Sequence, residues 1–209
     1  MKKSFLTIIA AVAMTLSANA QTSIIPKVGI SIANVASDPK NDEAKSKIGL
    51  QLGVAAEIGI TDMFAVQPEL LFIQKGTKSE SSDFGISAKS STTLSYLEIP
   101  VLAKVKFGSD AAKFYAIAGP SIGIAVSGKN KVEAFGVSDS EDIEFGSEAG
   151  QIKRTDFGLQ FGAGVNIKNF VIDVRYGLGL SNLSNDSSVS AKNRAIGITV
   201  GYAFPLGGK

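Results

Sequence analysis

A two-residue alternation recurs along this chain and limits what it can fold into. In 170–182, Phe170, Ile172, Val174, Tyr176, Leu178 and Leu180 alternate with Val171, Asp173, Arg175, Gly177, Gly179 and Ser181. A period of two places alternate side chains on opposite faces of a strand. The same rhythm sets Ile196, Ile198, Val200, Tyr202 and Phe204 against Ala195, Gly197, Thr199, Gly201 and Ala203. It also sets Phe157, Leu159, Phe161, Val165 and Ile167 against Asp156, Gly158, Gln160, Gly164 and Asn166. Eight strands are predicted, over 24–34, 48–60, 64–76, 92–107, 113–127, 154–167, 170–182 and 194–204. After residue 21 no apolar run approaches the 18 residues of a helical span. The expectation is an all-β chain.

Alternation does not say which face is inside. A soluble lipocalin-like barrel is apolar within, whereas a membrane barrel is apolar toward lipid and polar toward its lumen. Three features favour the membrane form. The polar face is mostly Gly, Ala and Ser, which suits a narrow eight-strand interior better than a solvated outer surface. The connections alternate in length: 61–63, 108–112 and 168–169 are short, while 35–47, 77–91, 128–153 and 183–193 are long. Short turns at one end and long loops at the other are the habit of outer-membrane barrels. Finally, Phe64, Phe107, Phe114, Phe170 and Phe204 all have outward parity beside short turns or at the C-terminal end, as an aromatic girdle on the periplasmic side would. Closure is required as well, because hydrocarbon offers backbone amides no partner.

The first twenty residues, "MKKSFLTIIAAVAMTLSANA", read as a secretory signal peptide. Lys2 and Lys3 precede an apolar stretch over Phe5–Leu16, and "ANA" before Gln21 is a small-residue cleavage site. The barrel domain is then expected over 21–209. Without Lys2 and Lys3, the 21 basic residues fall to 19, equal to the 19 acidic ones. A neutral mature chain gives no reason to expect nucleic acid as a partner. The sequence contains neither Cys nor His, which removes disulfides, thiolate metal sites and the commonest general base.

Two strands carry features that are unusual in such runs. "FAVQPELLFIQKG" (64–76) and "YLEIPVLAKV" (96–105) each contain a carboxylate and a proline. By parity Glu69 and Glu98 point into the lumen, together with Lys27, Glu57, Lys75, Lys104, Arg154, Asp156, Asp173 and Arg175. Both signs occur in similar number, so a network of internal ion pairs plugging the barrel is the economical reading. Catalytic carboxylates or a proton path are the functional alternative. Pro68 faces lipid and Pro100 faces inward, and a bulge is expected there or near Pro120.

"QPELLFIQKG" (67–76), "YLEIPVLAKVKF" (96–107) and "FYAIAGPSIG" (114–123) resemble the bacterial outer-membrane β-barrel family often called PorT-like or "porin family". "FGLQFGAGV" (157–165) and "VRYGLGLSNL" (174–183) fit its later strands. The resemblance implies an eight-stranded antiparallel up-and-down transmembrane barrel in the bacterial outer membrane.

The 128–153 segment is acidic, and Asp139, Glu141, Asp142 and Glu144 are its candidate metal ligands. Their spacing does not match a calcium loop, and a solvated surface is the simpler reading. No nucleophile motif or phosphate-binding glycine loop appears, so neither cofactor nor enzymatic activity is expected. The functional expectation is a small monomeric outer-membrane barrel with a plugged lumen and a structural or surface-interaction role. Its partners would be membrane lipid, an extracellular partner at the long loops, and transiently the barrel-insertion machinery and periplasmic chaperones. The alternatives are a soluble lipocalin-like carrier of an apolar ligand, a narrow pore, and a membrane-embedded enzyme.

Overall fold

The computed structural model describes residues 22–38, 44–83, 86–109, 111–135, 137–148, 150–186 and 188–206. The signal peptide expected over 1–20 lies outside the described residues. Among the described residues ten strands form one antiparallel sheet: β1 (Thr22–Asp38), β2 (Lys45–Gly59), β3 (Phe64–Asp83), β4 (Ile86–Gly108), β5 (Ala112–Ala134), β6 (Val137–Asp142), β7 (Thr155–Ile167), β8 (Phe170–Gly179), β9 (Ser190–Tyr202) and β10 (Phe204–Pro205). Eight of them, β1 to β5 and β7 to β9, make a ring that closes where β1 pairs with β9 from Lys27↔Gly201 to Asp38↔Ser190. The short β10 pairs Phe204 with Ile24 at the end of β1. β6 folds back on the upper part of β5.

The faces are inverted relative to a soluble barrel. Phe170, Ile172 and Val174 are 62, 42 and 49 % exposed on the outer surface, while Asp173 and Arg175 between them are 1 and 4 % exposed inside. Large apolar side chains on β1 to β5, β7 and β9 repeat this outward exposure. A soluble carrier would expose its polar face, so the lipocalin-like alternative is excluded.

Three strands, β3, β4 and β5, run six or seven residues further than the sequence suggests. The expected 77–91 loop is a hairpin: β3 and β4 stay paired from Lys75↔Leu94 out to Asp83↔Ile86. The expected 128–153 loop begins as strand too, with β5 reaching Ala134 and β6 returning beside it. Both segments are polar on both faces and therefore lack an amphipathic signature, but Ser, Thr and Lys rows support cross-strand pairing.

The prolines also differ from expectation. Neither register shift coincides with one: one lies between Ser46 and Gln51 in the β2–β3 ladder, the other at Ser95/Tyr96 against β5. Instead each proline sits in a gap in the ladder to the preceding strand. Pairing skips from Ala55↔Glu69 to Ile58↔Val66 around Pro68, from Pro68↔Val101 to Leu71↔Glu98 around Pro100, and from Pro100↔Ser121 to Ala103↔Ala118 around Pro120. A proline has no N–H for the rung, so the rung is lost without an inserted residue. The three gaps adjoin one another across the barrel wall, because Pro68 faces the neighbour of Pro100, and Pro100 faces the neighbour of Pro120.

Candidate functional site: the charged lumen and its two ends

Each ring strand aims at least one polar side chain into the lumen, because every second residue must point there. At the short-turn end Glu57 on β2 accepts from Lys106 at 2.8 Å and from Lys104 at 2.7 Å, both on β4. Lys104 also donates to Gln67 at 3.1 Å and lies 3.7 Å from the centroid of the Tyr115 ring. Gln67 in turn donates to Glu69.

Glu69 is the hub. It receives Arg175 Nη1 at 2.7 Å and Lys27 Nζ at 3.3 Å. Both cations also hold Asp173, Lys27 at 2.7 Å and Arg175 Nε at 2.9 Å. The Tyr115 hydroxyl reaches Asp173 at 3.3 Å. Gln160 then joins this group to the next: it accepts from Arg175 at 3.3 Å and donates to Glu98 at 3.0 Å. Lys75 lies 3.4 Å from Glu98 and 3.5 Å from Asp156. Asn193 donates to Asp156 at 2.8 Å and to the Tyr96 hydroxyl at 3.2 Å. One connected line of contacts thus runs from Lys106 to Tyr96 and takes in all eight ring strands. Its five cations face five carboxylates, and such pairing is what makes a buried charge tolerable.

Apolar side chains share the lumen with these charges. Ile25, Ala55, Leu102, Tyr115, Ile117 and Val171 cluster in the half nearer the short turns. At the other end Ile73, Leu94, Tyr96, Ala125 and Leu183 cluster, joined by Ile143, Phe145 and Ile152 from the segment after β6. Asn185 fixes that segment by donating to the carbonyls of Gly146 at 3.0 Å and Gln151 at 3.0 Å. Glycine makes room at one tight point: a Cβ on Gly164 would lie 2.4 Å from the Tyr115 ring.

Of the lumen residues read from the sequence, Lys27, Glu57, Glu69, Lys75, Glu98, Lys104, Asp156, Asp173 and Arg175 are all buried inside the ring. Arg154 is not. It precedes β7, is exposed, and lies 5.8 Å from the Phe145 ring centroid. Parity assigned it inward only because the strand was started one residue too early. Gln67, Gln160, Asn193, Tyr96, Tyr115 and Lys106 were missed. All six share inward parity with the charges, and that parity was the signal available.

β6 is extended and fully exposed, so Asp139 and Glu141 share one face while Asp142 turns to the other. Among the described residues no group of three potential ligands converges. The five phenylalanines, Phe64, Phe107, Phe114, Phe170 and Phe204, are all exposed on the outer surface beside the short connections or at the end of the sheet. Phe107 stacks on Phe114 at 6.1 Å, and Tyr202 joins Phe170 and Phe204 at 5.3 and 4.8 Å.

Several solved structures are similar to this chain. Ail, the attachment invasion locus protein of Yersinia pestis, is 22 % identical with a TM-score of 0.40, over 88 % of this chain and 99 % of its own. Neisserial surface protein A is 16 % identical with a TM-score of 0.47, over 88 and 99 % of the two chains. OprG of Pseudomonas aeruginosa is 12 % identical with a TM-score of 0.46, over 90 and 97 %. No curated protein matches the chain. The family described as "Outer membrane protein beta-barrel domain" matches residues 19–185, most of the strands described above. The inverted, closed barrel and this match agree: the chain belongs to the outer membrane protein beta-barrel domain family and is a small integral protein of the bacterial outer membrane.

Proposed function

We propose that this protein is a closed barrel that acts through its ends, in a structural or surface-interaction role, and neither conducts nor catalyses. The observation that carries this reading is the unbroken line of side chains from Lys106 to Tyr96, with apolar clusters beside and beyond it. Every carboxylate in that line is engaged by a cation. None is left as a free base, and a free base is what acid–base catalysis would need. Eight strands leave little space for an aqueous channel in any case.

The short turns are assigned to the periplasm and the long connections to the cell exterior, with the five phenylalanines at the periplasmic lipid boundary. The "QPELLFIQKG" and "YLEIPVLAKVKF" stretches support placement in the PorT-like branch of the family. The protein is a monomer surrounded by lipid, and an extracellular partner engages the long connections. The alternating Val200, Tyr202 and Phe204 of the last strands suit transient recognition by periplasmic chaperones and the barrel-insertion machinery.

Planar-bilayer recording of the refolded protein tests the closed lumen. Folded protein, identified by heat-modifiable gel mobility, is expected to give no reproducible conductance steps. Reproducible steps from folded protein would reject the plug. Sidedness is checked separately by thiol labelling of Glu141→Cys on intact cells, where an unlabelled site in assembled barrel would reverse the assignment.

A further inference from the structure

The extensions of β2 to β5 beyond the barrel body carry a basic cleft that the closed lumen does not use. Its register is fixed by the ladders. Lys45 faces Lys78, Lys78 faces Ser91, and Ser91 faces Lys131, which forms one row across four strands. The next row outward on the same face is Glu80, Lys89 and Glu133. Neighbouring strands lie about 4.8 Å apart, so Lys78 and Lys131, two strands apart, start about 10 Å from each other. Lys47 leans in and donates to Ser91 Oγ at 2.8 Å. A cleft of about 250 Å3 opens among these side chains.

The charge in this cleft is unbalanced. Glu80 is shared by Lys45 at 3.3 Å and Lys78 at 3.8 Å, and Glu133 is taken by Lys131 at 2.5 Å. Lys47 and Lys89 have no carboxylate at ion-pair distance among the described residues. The four lysines that line it, Lys47, Lys78, Lys89 and Lys131, against Glu80 and Glu133 leave a surplus of two positive charges. Lys45 and Lys78 also stand directly opposite each other, an arrangement that costs stability between like charges. This strand face gathers cations around a concavity whose lining includes Ser79, Ser90 and Ser91, with the Ser91 hydroxyl already in contact with Lys47.

We infer that this cleft binds clustered phosphate groups, two or more carried on one small polar scaffold. Lysines bind phosphate as mobile point charges, and serine hydroxyls add donors. Lysines about 10 Å apart suit several phosphates on one scaffold better than a single ion. The cleft is at the small end for ligand sites, so a headgroup-sized ligand fits and a folded partner does not. The Lys45 row begins three residues beyond Ile48, an outward apolar side chain 66 % exposed on the barrel surface. That puts the cleft just above the apolar band, where the phosphates of a glycolipid headgroup or of a free sugar phosphate are both within reach. The inference gives the surface role proposed above a ligand class and depends on it only for location.

The test uses the full folded barrel in phosphatidylcholine nanodiscs, titrated with inositol hexakisphosphate by calorimetry. Saturable binding is expected, weakening as salt rises. Lys47→Gln with Lys89→Gln should weaken it at least tenfold. Lys153→Gln with Lys192→Gln removes the same charge outside the cleft and should leave it unchanged. Absence of saturable binding, or equal loss in both double variants, overturns the inference. Heat-modifiable mobility of each variant separates a failed site from a failed barrel. Repeating the titration in nanodiscs that carry a diphosphorylated glycolipid identifies the source. A tenfold fall in apparent affinity, absent in the Lys47/Lys89 variant, assigns the site to the membrane headgroup. No change assigns it to a free ligand.

Discussion

At the scale of single residues, the lumen shows why carboxylates occur inside membrane strands. Glu69 alone would be intolerable in a narrow apolar tube, but with Arg175, Lys27 and Gln67 around it every oxygen is engaged. Arg175→Met should therefore be severe, because it leaves Glu69 and Asp173 with one ammonium between them. Breaking a buried pair from one side costs roughly 3–5 kcal/mol. Urea unfolding in lipid vesicles should show that loss, and adding Glu69→Gln should restore part of it. No restoration would mean that packing, not charge, makes Arg175 important. Gly164 invites a steric test. With Tyr115 lying where its Cβ would be, Gly164→Val should cost about 1–3 kcal/mol through overpacking. The same change at Gly150, where a Cβ would meet nothing within 4 Å but φ is +85°, would report backbone strain instead.

At the scale of elements, β8 is where the sequence spoke most clearly. Val174 on its lipid face can be tested directly. Val174→Arg should cost roughly 2–4 kcal/mol if the residue lies near mid-membrane. A fluorophore on Val174→Cys should be quenched by lipid-phase probes, and one on Asp173→Cys should not. The reverse quenching order would undo the inversion on which the fold reading depends. The eight ring strands, their faces and their antiparallel order were legible because half-buried strands in lipid must alternate strictly. The upper parts of β3, β4 and β5 were not, for the same reason read backwards. Beyond the apolar band both faces are wet, so Ser79, Ser90, Lys78 and Lys131 carry no periodic signal. The pairing of polar strands is a cooperative property of the ladder and cannot be read from one segment. That the prolines leave gaps without bulges was also hidden, since it depends on which neighbour each missing N–H would have faced. The charged residues were legible one by one from parity, but their partners were not. Lys27, Glu69 and Asp173 are 42 and 146 positions apart in sequence and meet only once the ring closes.

At the scale of the whole molecule, the lumen contacts tie the cylinder together from within as the ladders do along its wall. Lys27 on β1 reaches Asp173 on β8 and Glu69 on β3, so the side-chain network crosses the β1–β9 seam that the backbone must also close. Gln160 joins the lower group around Arg175 to the upper group around Lys75. Two arrangements would look alike in a static structure. The groups could be independent pairs that happen to share a glutamine, or one network in which loss at either level is felt at the other. A double-mutant cycle separates them. Arg175→Met and Lys75→Met, alone and together, should be non-additive by more than about 0.5 kcal/mol if Gln160 couples them, whereas independent sites add within about 0.3–0.5 kcal/mol. Repeating the cycle in a Gln160→Ala background should abolish the coupling. If the coupling survives there, it travels through the barrel wall rather than through the line of side chains that fills the lumen.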